Sequence, residues 1–303
     1  VTAKKKGNEL ASSTAFKGPV ICPTCRGQKW NPTFLIGRHQ YISCNECRIV
    51  TTNPLPTEND LEDFYSSKNE KDDIYSLNMT KWMDLRVDVY SNYLKILYEN
   101  GKIDLNGKKV LDVGCFNGAS LKAIAKAGGD AYGMERQAES TRQLETIFPG
   151  KIYHRNACLP DTTLNETFDI ITMTDVVEHV LDPEALLRNA WSWLKPGGYL
   201  FLTTPNTKSL VSRLMGKHWP SYLPVHHVYL FNKENLGKLL LTNGFTPISA
   251  GILTKKLTLE YFVYVMSRFR SQFAFLERLI PRFLSKMSLR FFGGEMYLIA
   301  RKP

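Results

Sequence analysis

Hydrophobic residues fall at helical spacing along Lys81–Tyr98, whereas Val110–Val113, Asp130–Glu135, Phe168–Thr174 and Tyr199–Thr204 are short, largely apolar runs of strand length. Between these runs the pattern predicts one helix opening at Ala119 and another through Glu184–Leu194, with a further helix starting near Asn232. Leu194-Lys-Pro-Gly-Gly198 reads as a helix stop and a turn that feeds the strand Tyr199–Thr204. Alternating strands and helices predict an α/β fold whose ligands sit outside the carboxyl ends of the strands. Upstream, Lys29–Ser43 has the length of a hairpin; downstream, Glu295–Ala300 reads as the last strand. Residues 255–292 interleave Lys and Arg with Phe269, Phe273, Phe283 and Leu284, which predicts an amphipathic helical insertion.

Val110-Leu-Asp-Val-Gly-Cys-Phe-Asn-Gly118 carries the most chemistry. A strand runs into Asp112 and a turn bracketed by Gly114 and Gly118, which lets backbone pass close to a bulky, charged small molecule. The next strand ends on Glu135, whose carboxylate can accept both hydroxyls of a ribose. A dinucleotide turn would read G-x-G-x-x-G. Here the spacing differs, and Asp112 beside the turn repels a pyrophosphate and suits a cationic ligand.

This pattern resembles motif I of class I S-adenosylmethionine-dependent methyltransferases, with Phe116 in place of the family's usual central glycine. Phe168-Asp169, Glu178-His179, Asp182-Pro183 and Leu194–Gly198 follow in the order of that family's later segments, so the resemblance spans roughly residues 106–250. It implies a Rossmann-like fold with a mostly parallel seven-stranded sheet. It further implies that Asp112, Gly114, Cys115, Phe116, Gly118 and Glu135 hold the methyl donor, with Phe116 narrowing the pocket or stacking on it. Asn156, with Ala157 beside it, falls where the family places a polar residue facing the adenine; a plain turn residue is the alternative. Asp175 sits at the carboxyl end of its strand, where the ligand crevice lies.

Cys22-Pro-Thr-Cys25 and Cys44-Asn-Glu-Cys47 form a C-x2-C…C-x2-C set. Two tight turns each offering two thiolates complete a tetrahedral zinc shell, and a closed shell makes the metal structural. No signal peptide or long apolar span is visible, so a reducing, cytoplasmic setting is expected and disulfides are not. Cys115 and Cys158 read as small buried residues. With the segment through Leu61-Glu-Asp-Phe-Tyr65, the chain is similar to a bacterial subgroup in which a zinc ribbon precedes the methyltransferase domain. That subgroup includes sugar C-methyltransferases, and the resemblance implies a sugar or lipid-linked glycan acceptor. It also makes Tyr65 and Tyr75 lid candidates, with aromatic packing at a domain junction as the alternative. The expected plan is a mobile basic tail (1–17), a ribbon (18–55), a helical linker or lid (56–105) and the methyltransferase domain (106–303).

A hydroxyl or carbon acid that accepts a methyl group must also lose a proton. Of the six histidines, His179, His226 and His227 lie in segments that can converge on the crevice. The subgroup resemblance implies an acid/base role for His227 and His179, with His226 a poorer match. The Glu178-His179 pair can instead cap and orient a loop. Asp175, Glu178 and His179 also have i, i+3, i+4 spacing, so a helical turn would present all three on one face. With His226 or His227 they could hold a divalent cation that polarises a hydroxyl. Ubiquinone-pathway and small-RNA O-methyltransferases carry a similar E-x-x-E-H arrangement, whose first position is Asp175 here.

At 303 residues and 43% hydrophobic content, the chain has room for one full-sized domain and a small one. A net charge of +10 invites nucleic acid. Much of that charge is mixed with aromatic residues in 255–292, a pattern that suits the inner face of an anionic membrane, a cleft cover or plain packing. Two alternatives to the glycan acceptor stand: an RNA methyltransferase gripping phosphates with its ribbon and basic surface, and a non-catalytic binding protein, to which Phe116 would point. No pattern in the chain fixes an oligomeric state.

Overall fold

A computed structural model describes residues 21–66, 83–260, 263 and 288–303. The basic tail, Tyr75 and most of 255–292 lie outside these residues. The chain opens with β1 (Trp30–Ile36), β2 (His39–Cys44), β3 (Val50–Asn53) and the helices α1 (Glu58–Ser66) and α2 (Met83–Gly101). Alternation then sets in: β4 (Lys109–Val113), α3 (Ala119–Lys126), β5 (Asp130–Glu135), α4 (Ala138–Ile147), β6 (Ile152–His154), β7 (Phe168–Thr174), α5 (Pro183–Trp193) and β8 (Leu194–Pro205). Last come α6 (Leu210–Met215), β9 (Tyr229–Leu230), α7 (Lys233–Thr242), β10 (Thr246–Thr258) and β11 (Ser288–Arg301).

Seven strands form the central sheet in the order β10-β11-β8-β7-β4-β5-β6. All neighbours pair in parallel except β11, which runs antiparallel to both β8 and β10. Its middle strands are covered on both faces, which is why Val110, Leu111 and Val113 of β4 are all buried and read as one continuous apolar run. Helix starts are written locally. Asp182 accepts the Ala185 amide at 2.8 Å with Pro183 in the first turn, and Asn232 and Asn235 form a reciprocal cap on α7. Tyr93, Leu94 and Leu97 of α2 pack with Leu121 and Ile124 of α3 and Val110 of β4.

Three sequence expectations are revised. β8 begins at Leu194, directly after α5, so the Leu194–Gly198 turn is instead an irregular strand start with a register shift opposite Phe168 and Ile170. There Gly197, at φ +77°, donates its amide to the Lys302 carbonyl at 3.0 Å. Both ends of the expected helical insertion are strand, because Lys255 pairs with Phe291 and Thr258 with Ser288 in the β10–β11 ladder. The last strand is therefore much longer than Glu295–Ala300. A mix of basic and apolar residues on a strand pair carries no period that separates it from a helix, and the pairing decides. Residues 175–179 are the third revision, described with the site.

The N-terminal hairpin forms as expected, with Trp30 opposite Cys44 and Ile36 opposite His39. Its sheet has four strands, in the order β1-β2-β3-β9, and the fourth comes from far along the chain. Trp30, Ile42, Ile49 and Leu61 belong to the same buried cluster as Val228, Phe231 and Leu236.

Candidate active site

At the carboxyl end of β4, Gly114 and Gly118 both adopt φ +76°, a left-handed conformation that glycine takes without strain. A Cβ at Gly118 would stand 2.5 Å from Leu144 Cδ2, and one at Gly114 would stand 2.8 Å from Val176 Cγ2. Phe116 also takes positive φ, +43°, and its amide donates to Glu135 Oε2 at 3.0 Å. The Gln137 amide donates to the other oxygen at 2.9 Å. Glu135 is thus pinned at the strand tip, and each oxygen keeps a further lone pair for a ligand hydroxyl. Asp112 is buried and accepts from Ser120 Oγ and Thr172 Oγ1. Burial pushes its carboxyl up to about 6, against the pull of those two bonds. It lines a small cleft shared with Tyr90, Thr172 and Thr174.

Cys115 is buried, and its thiol lies where a Cβ on Gly133 would be, at 2.6 Å. After β6, Asn156 accepts the Cys158 amide at 3.0 Å through its side chain, and the buried Ala157 accepts from Asn189 Nδ2 at 2.9 Å. A cationic sulfonium nucleoside fits this end on three counts: glycine-lined backbone, a ribose-facing carboxylate and a second buried acid.

The acceptor end is assembled from distant segments. After β7 the chain bends at Asp175, φ +55°, and turns, with the His179 amide donating to the Val176 carbonyl at 2.9 Å. A left-handed residue breaks the helical turn expected there, so Asp175, Glu178 and His179 do not line one helix face. Asp175 accepts from Thr203 Oγ1 at 3.1 Å and lies 3.7 Å from Lys255 Nζ, which also reaches Glu295 at 2.6 Å. Glu178 is fully buried, and neither carboxylate oxygen has a hydrogen-bond partner among the described residues. Burial first, then the nearby Asp175, drives its carboxyl well above the usual range.

His179, His226 and His227 meet, with ring centroids 4.2 Å, 4.8 Å and 5.1 Å apart. His179 Nδ1 is 2.8 Å from the His226 carbonyl and His227 Nδ1 is 2.7 Å from the Ser221 carbonyl. A carbonyl only accepts, so Nδ1 carries a proton in both rings. Burial first, then the neighbouring His179, pushes His227 down to about 3 and keeps it neutral. Phe64 of α1 stacks on His226 at 4.7 Å. The sequence reading looked to Tyr65, on the same helix, and Phe64 gave no signal beyond its i+3 spacing from Leu61.

In the ribbon, the four cysteine sulfurs lie within 4.8 Å of one another, with Cys22–Cys47 and Cys25–Cys44 both at 3.5 Å. Zinc–sulfur bonds of about 2.3 Å in a tetrahedron put sulfurs about 3.8 Å apart, so the donor set fits that ion.

The seven-stranded sheet and the glycine turn facing two carboxylates define a class I S-adenosylmethionine-dependent methyltransferase. Residues 85–250 match the model of the methyltransferase-domain family, and the chain belongs to that family. A methyltransferase from Archaeoglobus fulgidus superposes with a TM-score of 0.50 at 20% identity, over 76% of this chain and 100% of that one. A Thermotoga maritima protein described as a possible histamine N-methyltransferase gives 0.50 at 18% identity, over 82% and 100%. Both show the fold alone.

Curated relatives include the mitochondrial ubiquinone biosynthesis O-methyltransferase of Rattus norvegicus, 34% identical over 145 residues, 44% of this chain and 41% of that one. The Vibrio parahaemolyticus ubiquinone biosynthesis O-methyltransferase is 32% identical over 149 residues, 45% of this chain and 63% of that one. The chain thus spans under two thirds of the length of these relatives. Their names overturn the expected sugar or lipid-linked glycan acceptor, and the RNA and non-catalytic alternatives fall with it. Among the described residues no helix is long and apolar enough to cross a membrane.

Proposed function

We propose that this chain transfers the methyl group of S-adenosylmethionine to a hydroxyl oxygen of a small, quinone-type phenolic acceptor. The observation that carries this reading is the histidine cluster, in which backbone carbonyls accept from Nδ1 of His179 and His227 and leave Nε2 of His227 as the basic nitrogen. A phenolic oxygen needs such a base, because its nucleophilicity rises as its proton leaves. The oxygen attacks the methyl carbon in line and the carbon–sulfur bond breaks with its electron pair staying on sulfur; the acceptor proton passes to His227 Nε2 late, as the sulfonium charge is spent, because burial leaves that imidazole a weak base beforehand. The His179 and His226 rings stand beside it. Asp112, Gly114, Cys115, Phe116, Gly118, Glu135, Asn156 and Ala157 form the donor's cradle in this reading, with Asp175 at the crevice. Cys22, Cys25, Cys44 and Cys47 hold a structural zinc.

A second reading has its own support. The donor atoms of His179, His226 and His227 lie within 4.8 Å of one another, and histidines that ligate a metal commonly donate Nδ1 to a carbonyl. A divalent cation there would acidify the hydroxyl directly. One assay separates the options: incubation with methyl-labelled S-adenosylmethionine and catechol as the phenolic probe, with and without chelator. A labelled methyl ether and matching S-adenosylhomocysteine support O-methylation. Label on nitrogen or carbon acceptors alone sinks it, and loss of activity with chelator while the ribbon keeps its zinc favours the cation.

A further inference from the structure

The histidine loop holds a conformation it would not keep unaided. Val225, directly before His226, has φ +71°. A β-branched residue there crowds its own backbone, and such strain persists only where surrounding contacts over-determine it. Those contacts come largely from the ribbon. β9, two residues past His227, pairs with β3 through Thr51–Tyr229 and Val50–Leu230. Thr51 Oγ1 donates to the Val228 carbonyl at 2.7 Å in a buried bond. The Val228 and Tyr229 amides donate to the Glu178 carbonyl at 2.7 Å and 3.2 Å, which ties the loop to the turn that carries His179.

The cysteines are joined to the same framework. The Cys44 amide donates to the Ile49 carbonyl at 2.9 Å, just ahead of β3. The Cys47 carbonyl accepts from Asn235 Nδ2 at 3.2 Å, and Asn235 Oδ1 in turn accepts the Asn232 amide at the start of α7. The cofactor turn is held differently, since β4 and β5 pair with β7 and β6 and share no strand with the ribbon. Besides the shared buried core, one polar link to that side is Arg136, beside Glu135, which pairs with Glu58 and Glu62 of α1 in exposed contacts at 3.2 Å.

We infer that the ribbon is a clamp on the histidine loop, with Thr51 and Asn235 as positioning residues, so that its cysteine shell governs methyl transfer and not cofactor binding. This rests on the reading of His227 as the proton acceptor. Losing the Thr51 bond frees a strained loop to swing its imidazoles out of line, while the glycine turn and Glu135 stay as they are.

The test compares T51V, T51S and H227A in the full chain, each checked for zinc content by elemental mass spectrometry and for cofactor affinity by calorimetry. T51V keeps the branched shape and the strand pairing but removes the donor. Its kcat should fall about tenfold, the scale of one buried hydrogen bond. Zinc should stay at one per chain and the cofactor Kd should hold within about twofold, with T51S restoring kcat. Stripping zinc with a chelator should lower kcat further and leave the calorimetric Kd in place. If H227A loses kcat while T51V does not, the clamp is wrong and the base stands. If neither loses kcat, the underlying reading is wrong. A parallel loss of cofactor affinity in T51V, or no rescue in T51S, also overturns the clamp.

Discussion

At the cofactor end, Asp112, Gly114, Gly118 and Glu135 sit on successive elements, β4, the α3 turn and β5, within one compact stretch of chain. At the acceptor end, Phe64 comes from α1, His179 from the turn after β7, and His226 and His227 from the loop before β9. The first is shaped by glycine conformation and a parallel ladder that would form in many sequences of this pattern. The second depends on a strained residue, a buried carboxyl with no hydrogen-bond partner among the described residues and a strand borrowed from far along the chain. In the proposed reading, donor binding is a local property of this chain, whereas acceptor chemistry is a property of contacts between distant segments.

The most severe way to probe that contrast is Gly118→Val. Its Cβ would meet Leu144 at 2.5 Å in a backbone conformation hostile to branching. Calorimetry should show cofactor affinity down by at least about 100-fold, with a lowered melting temperature. Affinity close to wild type would mean the turn is not the donor's cradle. His227→Ala is the matching lesion at the other end. There kcat should drop about 10²–10⁴-fold with cofactor affinity unchanged, measured by steady-state kinetics beside calorimetry.

A third experiment uses pH. Asp112 titrates near 6 in the folded chain, above its ordinary 3.8, so the folded state holds a proton that the unfolded state has lost. Stability should therefore fall as pH rises from about 4 to about 6, and D112N should gain on wild type by about 2–3 kcal/mol across that window in urea unfolding. A difference that stays flat with pH would show that Asp112 is ionised when folded. At the small end, Arg26→Ala breaks a largely exposed pair with Glu184 that bridges ribbon and core, and should shift stability by no more than about 0.5 kcal/mol. A larger loss would mean that this surface contact shares the clamp's work.

The glycine turn was legible because its signals are local. An apolar run, a carboxylate and two glycines specify the turn, and Asp182-Pro183 and Asn232 mark helix starts. The cysteine spacing likewise announced two facing knuckles. What the pattern missed lies in contacts between remote segments. Spacing alone put Asp175, Glu178 and His179 on a helix, and the positive φ of Asp175 at the end of a buried strand turned them apart. Thr51 looked like any strand threonine, since its partner Val228 is 177 positions away. The ends of 255–292 read as helix because only the β10–β11 register makes them strand.

The pairing of β3 with β9 also bears on how the chain is made. β1, β2 and β3 leave the ribosome well before the strand that covers their outer edge, which emerges only with Tyr229 and Leu230. Between those two events that edge shows bare amides and carbonyls to any passing extended segment, so the nascent chain is most exposed to intermolecular strand pairing until β9 appears.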